Sequence, residues 1–334
     1  HATDGDYSLS FDGSNDYVSA SSTIIDNVFS GTNSLTVSVW VYGDGGGNDD
    51  VTRNIISKGN TNGGNPSSFQ IFKETSGALS YVLYTDGVNN SNWIRAQASN
   101  GSLNSSKWNH ILVTYSGGTN YSSLKIYINA VSVSFTGYNY QSYSGMNSNT
   151  EPMYIGSRVQ TDGSTHLLWN NKIDEIGIWN EALTSSEITA LYNSGVPLAA
   201  SSNSGNYTSS ANLKGYWRFN ENSGSTAYDL SGNGNHGTLS GATYSTSVPT
   251  ADVTAPTISS SSLASDNSTI AVTFSEAVYT TTDASSALVV GDFGFSISGG
   301  TATLSSATPS SISISGNVYT LGISLSGTPD GSET

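Results

Sequence analysis

The chain of 334 residues has no cysteine, two methionines, seven prolines and only ten lysines and arginines. Each scarcity excludes something. Without cysteine there is no disulfide, no thiol nucleophile and no thiolate metal site. That usage is unusual for an animal extracellular module and ordinary for a bacterial surface protein. Ten cations against 25 acidic residues leave a net charge of −15. So few cations cannot neutralise a phosphate track, so neither nucleic acid nor membrane insertion is expected among the partners. No apolar run approaches the length of a membrane span. The charged fraction is only 10%, too low for an acidic disordered tail. The chain opens at His1 with no signal peptide, which reads as a mature or excised fragment.

What remains is Gly, Ser, Thr and Asn, interrupted by short runs rich in Val, Ile and Tyr. Strand patterns recur at 34–42 (SLTVSVWVY), 54–58, 68–73, 79–84, 93–98, 108–115, 123–129 and 153–155. Regular short strands between polar turns indicate an all-β sandwich or barrel. Leu35, Val37, Val39 and Val41 alternate with Thr36, Ser38 and Trp40, which gives one buried aliphatic face. A single helix signal stands out. Thr184 to Glu187 fits a capping box, Ile188, Leu191 and Tyr192 form the stripe, and Gly195 is the expected stop.

Two distant segments define the first domain. Residues 8–18 (SLSFDGSNDYV) and 172–188 (KIDEIGIWNEALTSSEI) resemble the first and closing strands of the laminin-G-like, concanavalin-A-like jelly roll. Terminal strands of a sandwich pair with each other to remove open edges. Residues 215–221 (GYWRFNE) and 229–239 (DLSGNGNHGTL) resemble a recurrent piece of the same family. They read as the last strands of that domain, with a truncated second copy as the alternative. The expected domain spans 5–248, followed by a linker at 249–255 (Asp252, Pro256 at the entry of the next unit). Residues 256–334, with the strand 270–278 (IAVTFSEAV), resemble the immunoglobulin-like repeats of large bacterial adhesins. Further strands are expected at 287–290, 293–298, 302–305, 311–315 and 318–324. Residues 325–334 look turn-like, so this β-sandwich is expected to be truncated.

The jelly-roll resemblance implies a calcium ion (Ca2+) where the first and closing strands meet. Asp12 and Asp174 match those motif positions, with Asp16 beside them; the alternative is a turn cap and a solvated carboxylate. The loop 229–234 resembles the start of a calcium loop but lacks its later Glu, so an Asn/Gly turn is the better reading. The acidic loop Asp44, Asn48, Asp49, Asp50 reads as a solvated excursion. Retaining glycoside hydrolases of this fold need carboxylates alternating on one strand. Here Lys172 and Gly177 occupy two of those three places around Asp174, so the constellation is broken and no enzyme is expected. His1, His110, His166 and His236 lack metal spacing.

Sugar recognition needs exposed rings beside polar groups. Trp93, Tyr138, Tyr140, Tyr143 and Trp169 qualify by their Asn- and Ser-rich settings. Trp40, Trp108, Trp179 and Trp217 sit in strand patterns and read as core. The expected function is a non-catalytic, calcium-stabilised, glycan-binding adhesion module of a secreted bacterial cell-surface protein. Its partners would be a glycan or cell-surface polysaccharide and neighbouring domains of the same long chain. The alternative is an accessory carbohydrate-binding module of a polysaccharide-degrading enzyme.

Overall fold

In the computed structural model, the described residues are 6–43, 51–59, 67–85, 92–160, 164–250, 256–275, 278 and 287–334. The chain divides into two compact units, 1–251 and 252–334.

The first unit is a jelly-roll sandwich of two antiparallel sheets. The eight-stranded sheet runs Val131–Ser132, Leu124–Ile128, Trp108–Tyr115, Leu35–Tyr42, Asn170–Trp179, Ser8–Asp12, Thr243–Ser245, with Leu213–Trp217 also on Asn170–Trp179. The nine-stranded sheet runs Phe135–Tyr140, Trp93–Asn100, Ala78–Tyr84, Phe69–Lys73, Arg53–Lys58, Met153–Ile155, Tyr17–Ala20, Gly237–Ser240, Thr226–Ala227. The first strand pairs with the closing strand through Leu9↔Ile173 and Asp12↔Asn170. Residues 213–245 feed both sheets, through Ile176↔Trp217 and Gly237↔Ala20.

The aliphatic face of Leu35–Tyr42 lies in the main core, where Leu35, Val37, Val39 and Val41 are inaccessible. The opposite face is buried as well. Short helix Ser185–Tyr192 and the segments on either side of it lay Leu183, Ile188, Leu191, Ala200 and Tyr207 over Leu112, Trp179 and Tyr216. Thr184 and Glu187 form the expected capping box. The stop is not Gly195 but Asn193, which takes the left-handed conformation at φ 45° and leaves Gly195 in a following 3-10 turn. Asn tolerates that region better than most residues. A second helix, Thr23–Val28, capped by Ser22, carries no strong sequence signal. Trp40, Trp179 and Trp217 are buried, as their strand settings imply, whereas Trp108, read as core with them, is only half-buried.

The second unit has a four-stranded antiparallel sheet, Ile258–Leu263, Thr269–Phe274, Val318–Gly322, Ile312–Ser315, and a separate pair, Thr303–Leu304 with Leu325–Ser326. Tyr319 anchors its small core, edge-on to Phe274 at 5.2 Å, with its hydroxyl donating to the Val278 carbonyl at 2.9 Å. Two expected strands are absent. The Asp292 carboxylate accepts the Val289 N–H and sets a 3-10 turn at Val290–Asp292. Residues 293–298 are irregular, although Ser298 exchanges both backbone hydrogen bonds with Thr334. The turn-like tail is held by Glu333, whose carboxylate accepts the N–H groups of Thr301, Ala302 and Asp330.

Candidate functional site: an aromatic row on the nine-stranded sheet

Antiparallel register creates the site. Tyr140 lies opposite Trp93, Tyr138 opposite Arg95, and Thr136 opposite Gln97. Alternation places these six side chains on one face of the sheet, away from Ile94, Ala96 and Ala98, which enter the core. Cross-strand pairs are close enough for rings to meet. The Trp93 and Tyr140 rings stack at 5.2 Å with 12° between their planes. The Arg95 guanidinium sits 5.4 Å from the Tyr138 ring centroid, within cation–π range. Tyr138 and Tyr140 are 40% and 47% exposed, so part of each ring remains accessible beside its stacked partner. The Tyr138 hydroxyl donates to Gln97 at 3.2 Å. Glu74 fastens the row from below: it pairs with Arg95 and accepts from Gln97 at 2.8 Å. Arg95 also donates to Ser80 at 3.2 Å. Next along the same face, Tyr84 donates to Gln70 at 3.2 Å, and burial holds its phenol up at about 12 against the pull of Arg158 and Arg95. A shallow pocket of about 360 Å3 adjoins the row, lined by Gln97, Ser99, Asn100, Ser134 and Thr136 among others. Aromatic faces beside amides and hydroxyls are the chemistry that a sugar ring requires.

Two of the five expected ligand residues do not belong here. Trp169 is fully buried in the main core. Its place beside Asn170 and Asn171 reads as loop, but the chain turns the ring into the core. Tyr143 is 5% exposed and faces Tyr115, hydroxyl to hydroxyl at 3.5 Å; burial drives its phenol far above the usual range. The sequence pattern 138–143 reads as one loop run, whereas pairing with Trp93–Asn100 makes Phe135–Tyr140 a strand and sends Tyr143 the other way. Arg95 and Gln97 were missed. The signal was available, since they alternate with Trp93 along one strand.

The expected metal residues are not brought together. Asp12 pairs with Asn170, four positions from Asp174 on the same strand, which is about 13 Å along a strand. Asp12 and Asp16 do meet in one turn, but their oxygens are engaged. Asp16 accepts the Asp12 N–H at 2.9 Å, and Asp12 accepts the Ser14 N–H at 2.8 Å. Burial first, and the neighbouring Asp12 charge with it, raises the Asp16 carboxyl above its ordinary value, against the lowering effect of the Asp12 N–H. Calcium takes six to eight oxygens, and the expected set Asp12, Asp16 and Asp174 is split between two places in the fold and does not converge on one ion. No group of three or more His, Asp or Glu suited to a metal occurs among the described residues. In the 229–234 loop, Asp229 is consumed by the N–H groups of Tyr216, Ser231 and Asn235, which makes it a turn. The Asp44–Asp50 loop lies outside the described residues.

Asp174 belongs instead to a buried polar cluster. The left-handed Glu175, at φ 46°, sits within a register shift between Asp174 and Gly177. Glu175 accepts from Arg218 Nε at 2.7 Å and from the Tyr216 hydroxyl, while Arg218 also lies 3.8 Å from Asp6. Burial first, then the neighbouring charge of Glu175, raises Asp174 well above its ordinary value. Burial raises Glu175 too, although Arg218 opposes it. The cavity beside these acids is only about 10 Å3. No sugar ring enters such a space, so the pair cannot serve the glycosidase geometry. Behind it, His110 stacks on Trp40 at 4.8 Å and contacts Ser38 at 2.7 Å. Burial depresses its imidazole to about 3, which keeps it neutral.

Comparisons with known proteins agree with the architecture. A putative carbohydrate binding protein from Bacteroides ovatus superposes with a TM-score of 0.50 at 17% identity, covering 74% of this chain and 61% of that one. A heptameric SAP-like pentraxin from Limulus polyphemus gives 0.39 at 16% identity, covering 56% and 82%. The CBM40 of a Ruminococcus gnavus IT-sialidase gives 0.41 at 10% identity, covering 55% and 96%. Only the first of these likenesses bears on this chain, and on its fold alone. The chain thus spans less than two thirds of the Bacteroides protein. No curated protein matches the sequence. A family model described as the concanavalin A-like lectin/glucanases superfamily matches residues 12–189, more than half of the 334 residues, and the chain belongs to that family.

Proposed function

We propose that this chain is a non-catalytic glycan-binding module of a secreted bacterial surface protein, and that sugar binds on the face of Trp93, Tyr138 and Tyr140. The observation that carries this reading is the stacked Trp93–Tyr140 pair with partly accessible tyrosine rings beside an amide- and hydroxyl-lined pocket. The ligand is a neutral saccharide. Glu74 cancels the charge of Arg95, and a chain of net charge −15 repels polyanions. The family's lectin members and the likeness to a Bacteroides protein described as carbohydrate binding support the ligand class; the residues of the row support its place. The proposal involves no calcium bridge between Asp12 and Asp174.

The second unit, in this reading, is an immunoglobulin-like repeat that joins the jelly roll to neighbouring domains of one long adhesin. Its antiparallel four-stranded sheet with a separate strand pair supports that role. A glycan array probed with the full chain, and with Trp93→Ala and Tyr140→Ala, tests the proposal. Binding to neutral glycans that either substitution weakens supports it. Binding that ignores both substitutions, or selective binding to sulfated or uronate-rich glycans, overturns it.

A further inference from the structure

The nine-stranded sheet hides an unusual lysine. Lys58 closes the strand Arg53–Lys58, and its register partners Phe69 and Met153 are fully buried. The side chain itself is 1% exposed. Buried lysine is rare because desolvating an ammonium is costly. Its Nζ lies 2.9 Å from the side-chain Oδ1 of Asn149 and 3.0 Å from the Asn149 carbonyl. It also lies 3.0 Å from Oδ1 of Asp26, on helix Thr23–Val28, and in contact with the Glu151 carbonyl. The amide nitrogen of Asn149 donates to Ser68 at 3.2 Å, which fixes the carboxamide plane. A nucleophilic amine, a carboxamide carbon one bond from the atom it touches, and a carboxyl group on the same nitrogen are thus assembled in a dry site.

We infer that Lys58 and Asn149 are joined by an intramolecular amide bond, formed by the folded chain itself with Asp26 as proton carrier. A proton passes from the Lys58 ammonium to Asp26, leaving a neutral amine and a neutral acid. The Nζ lone pair attacks Cγ of Asn149, and the carbonyl π bond opens onto Oδ1. Asp26 first delivers its proton to Nδ2 and then, again a carboxylate, takes one from the attacking nitrogen. The C–Nδ2 bond breaks, ammonia leaves and the carbonyl re-forms. Amine plus carboxamide gives secondary amide plus ammonia, with no oxidant or cofactor. Burial acts in the required direction, since it lowers the Lys58 pKa, although Asp26 opposes it. Effective concentration supplies the rest, because the amine nitrogen already lies 2.9 Å from the oxygen of the carboxamide it attacks. The product would tie the strand at Lys58 to a segment 91 residues away, a covalent brace in a chain without cysteine.

The test is intact-mass measurement of the purified full chain, followed by peptide mapping. The expected mass is the sequence mass less one ammonia, with Lys58 resistant to trypsin and its peptide covalently joined to that of Asn149. Lys58→Arg, which keeps a cation but loses the nucleophile, and Asn149→Ala should both show the full sequence mass. Asp26→Asn should form the bond at least tenfold more slowly. A folded wild-type chain that keeps its full mass after prolonged incubation at neutral pH overturns the inference. Ammonia loss that maps to a succinimide at an Asn-Gly step instead of Lys58 overturns it equally.

Discussion

Replacing Arg218 by alanine should expose how the acidic cluster is held. The guanidinium is the cation between Glu175, 2.7 Å away, and Asp6, 3.8 Å away. Glu175 is 7% exposed and Asp174 lies beside it, inside the fold. Removing one member of a buried ion pair strands the other, at a cost of about 3–5 kcal/mol. For a unit of this size, about 2–4 °C accompanies each kcal/mol, so the melting midpoint should fall by about 6–20 °C near neutral pH. The pH dependence follows from the raised carboxyls. Below the ordinary carboxylate range, about pH 4, Asp174 and Glu175 are protonated in both folded and unfolded chains. As pH rises, the unfolded chain ionises first, the folded chain holds more protons, and stability is lost until the elevated folded values are passed. Arg218 opposes the rise in both, so its removal lengthens that window. Thermal melts of wild type and Arg218→Ala at about pH 3 and about pH 7 read this directly. The penalty should be small at the lower pH and large at the higher. Equal penalties at both values, or a neutral-pH loss under about 1 kcal/mol, would refute the reasoning.

Other consequences can be measured on the same protein. Trp93→Ala should weaken binding to a neutral glycan at least about tenfold, about 1.4 kcal/mol, in calorimetric titration, with the melting midpoint nearly unchanged. Trp169→Ala should instead cost about 3–5 kcal/mol of stability in denaturant melts, because the ring fills the core and is no ligand platform. Glu187 accepts from Thr184, Thr208 and Ser209. Burial pushes its carboxyl up, but these hydrogen bonds hold it below its ordinary value. Glu187→Ala should therefore cost about 1.5–3 kcal/mol at neutral pH. The stability from its lowered pKa is present above the unfolded value and lost as pH falls through the folded one, so the deficit should narrow in acid. Gly137→Ala should destabilise the edge strand, because a Cβ would stand 2.0 Å from the Tyr121 ring; an unchanged melt would contradict that contact.

Much of the jelly roll is determined by local pattern. The strand at 35–42 follows from period-two alternation, those at 108–115 and 153–155 from short apolar runs between polar turns, and the capped helix from Thr184 and Glu187. Pairing of the first and closing strands follows from two motifs and the need to close an edge. What the sequence does not contain is depth and register. Trp93 and Trp169 both stand among asparagines, yet one ring lines an open face and the other fills the core, because burial depends on which sheet lies opposite. Asp12 and Asp174 lie on paired strands, but a four-position offset separates them, and offset is fixed by the packing of whole strands. The six-residue row around Trp93 exists only because Phe135–Tyr140 pairs with Trp93–Asn100 in one particular register. Lys58, Asn149 and Asp26 carry no motif at all. Three segments far apart in sequence meet there only because the sandwich closes, and a long-range contact of that kind is decided by tertiary structure alone.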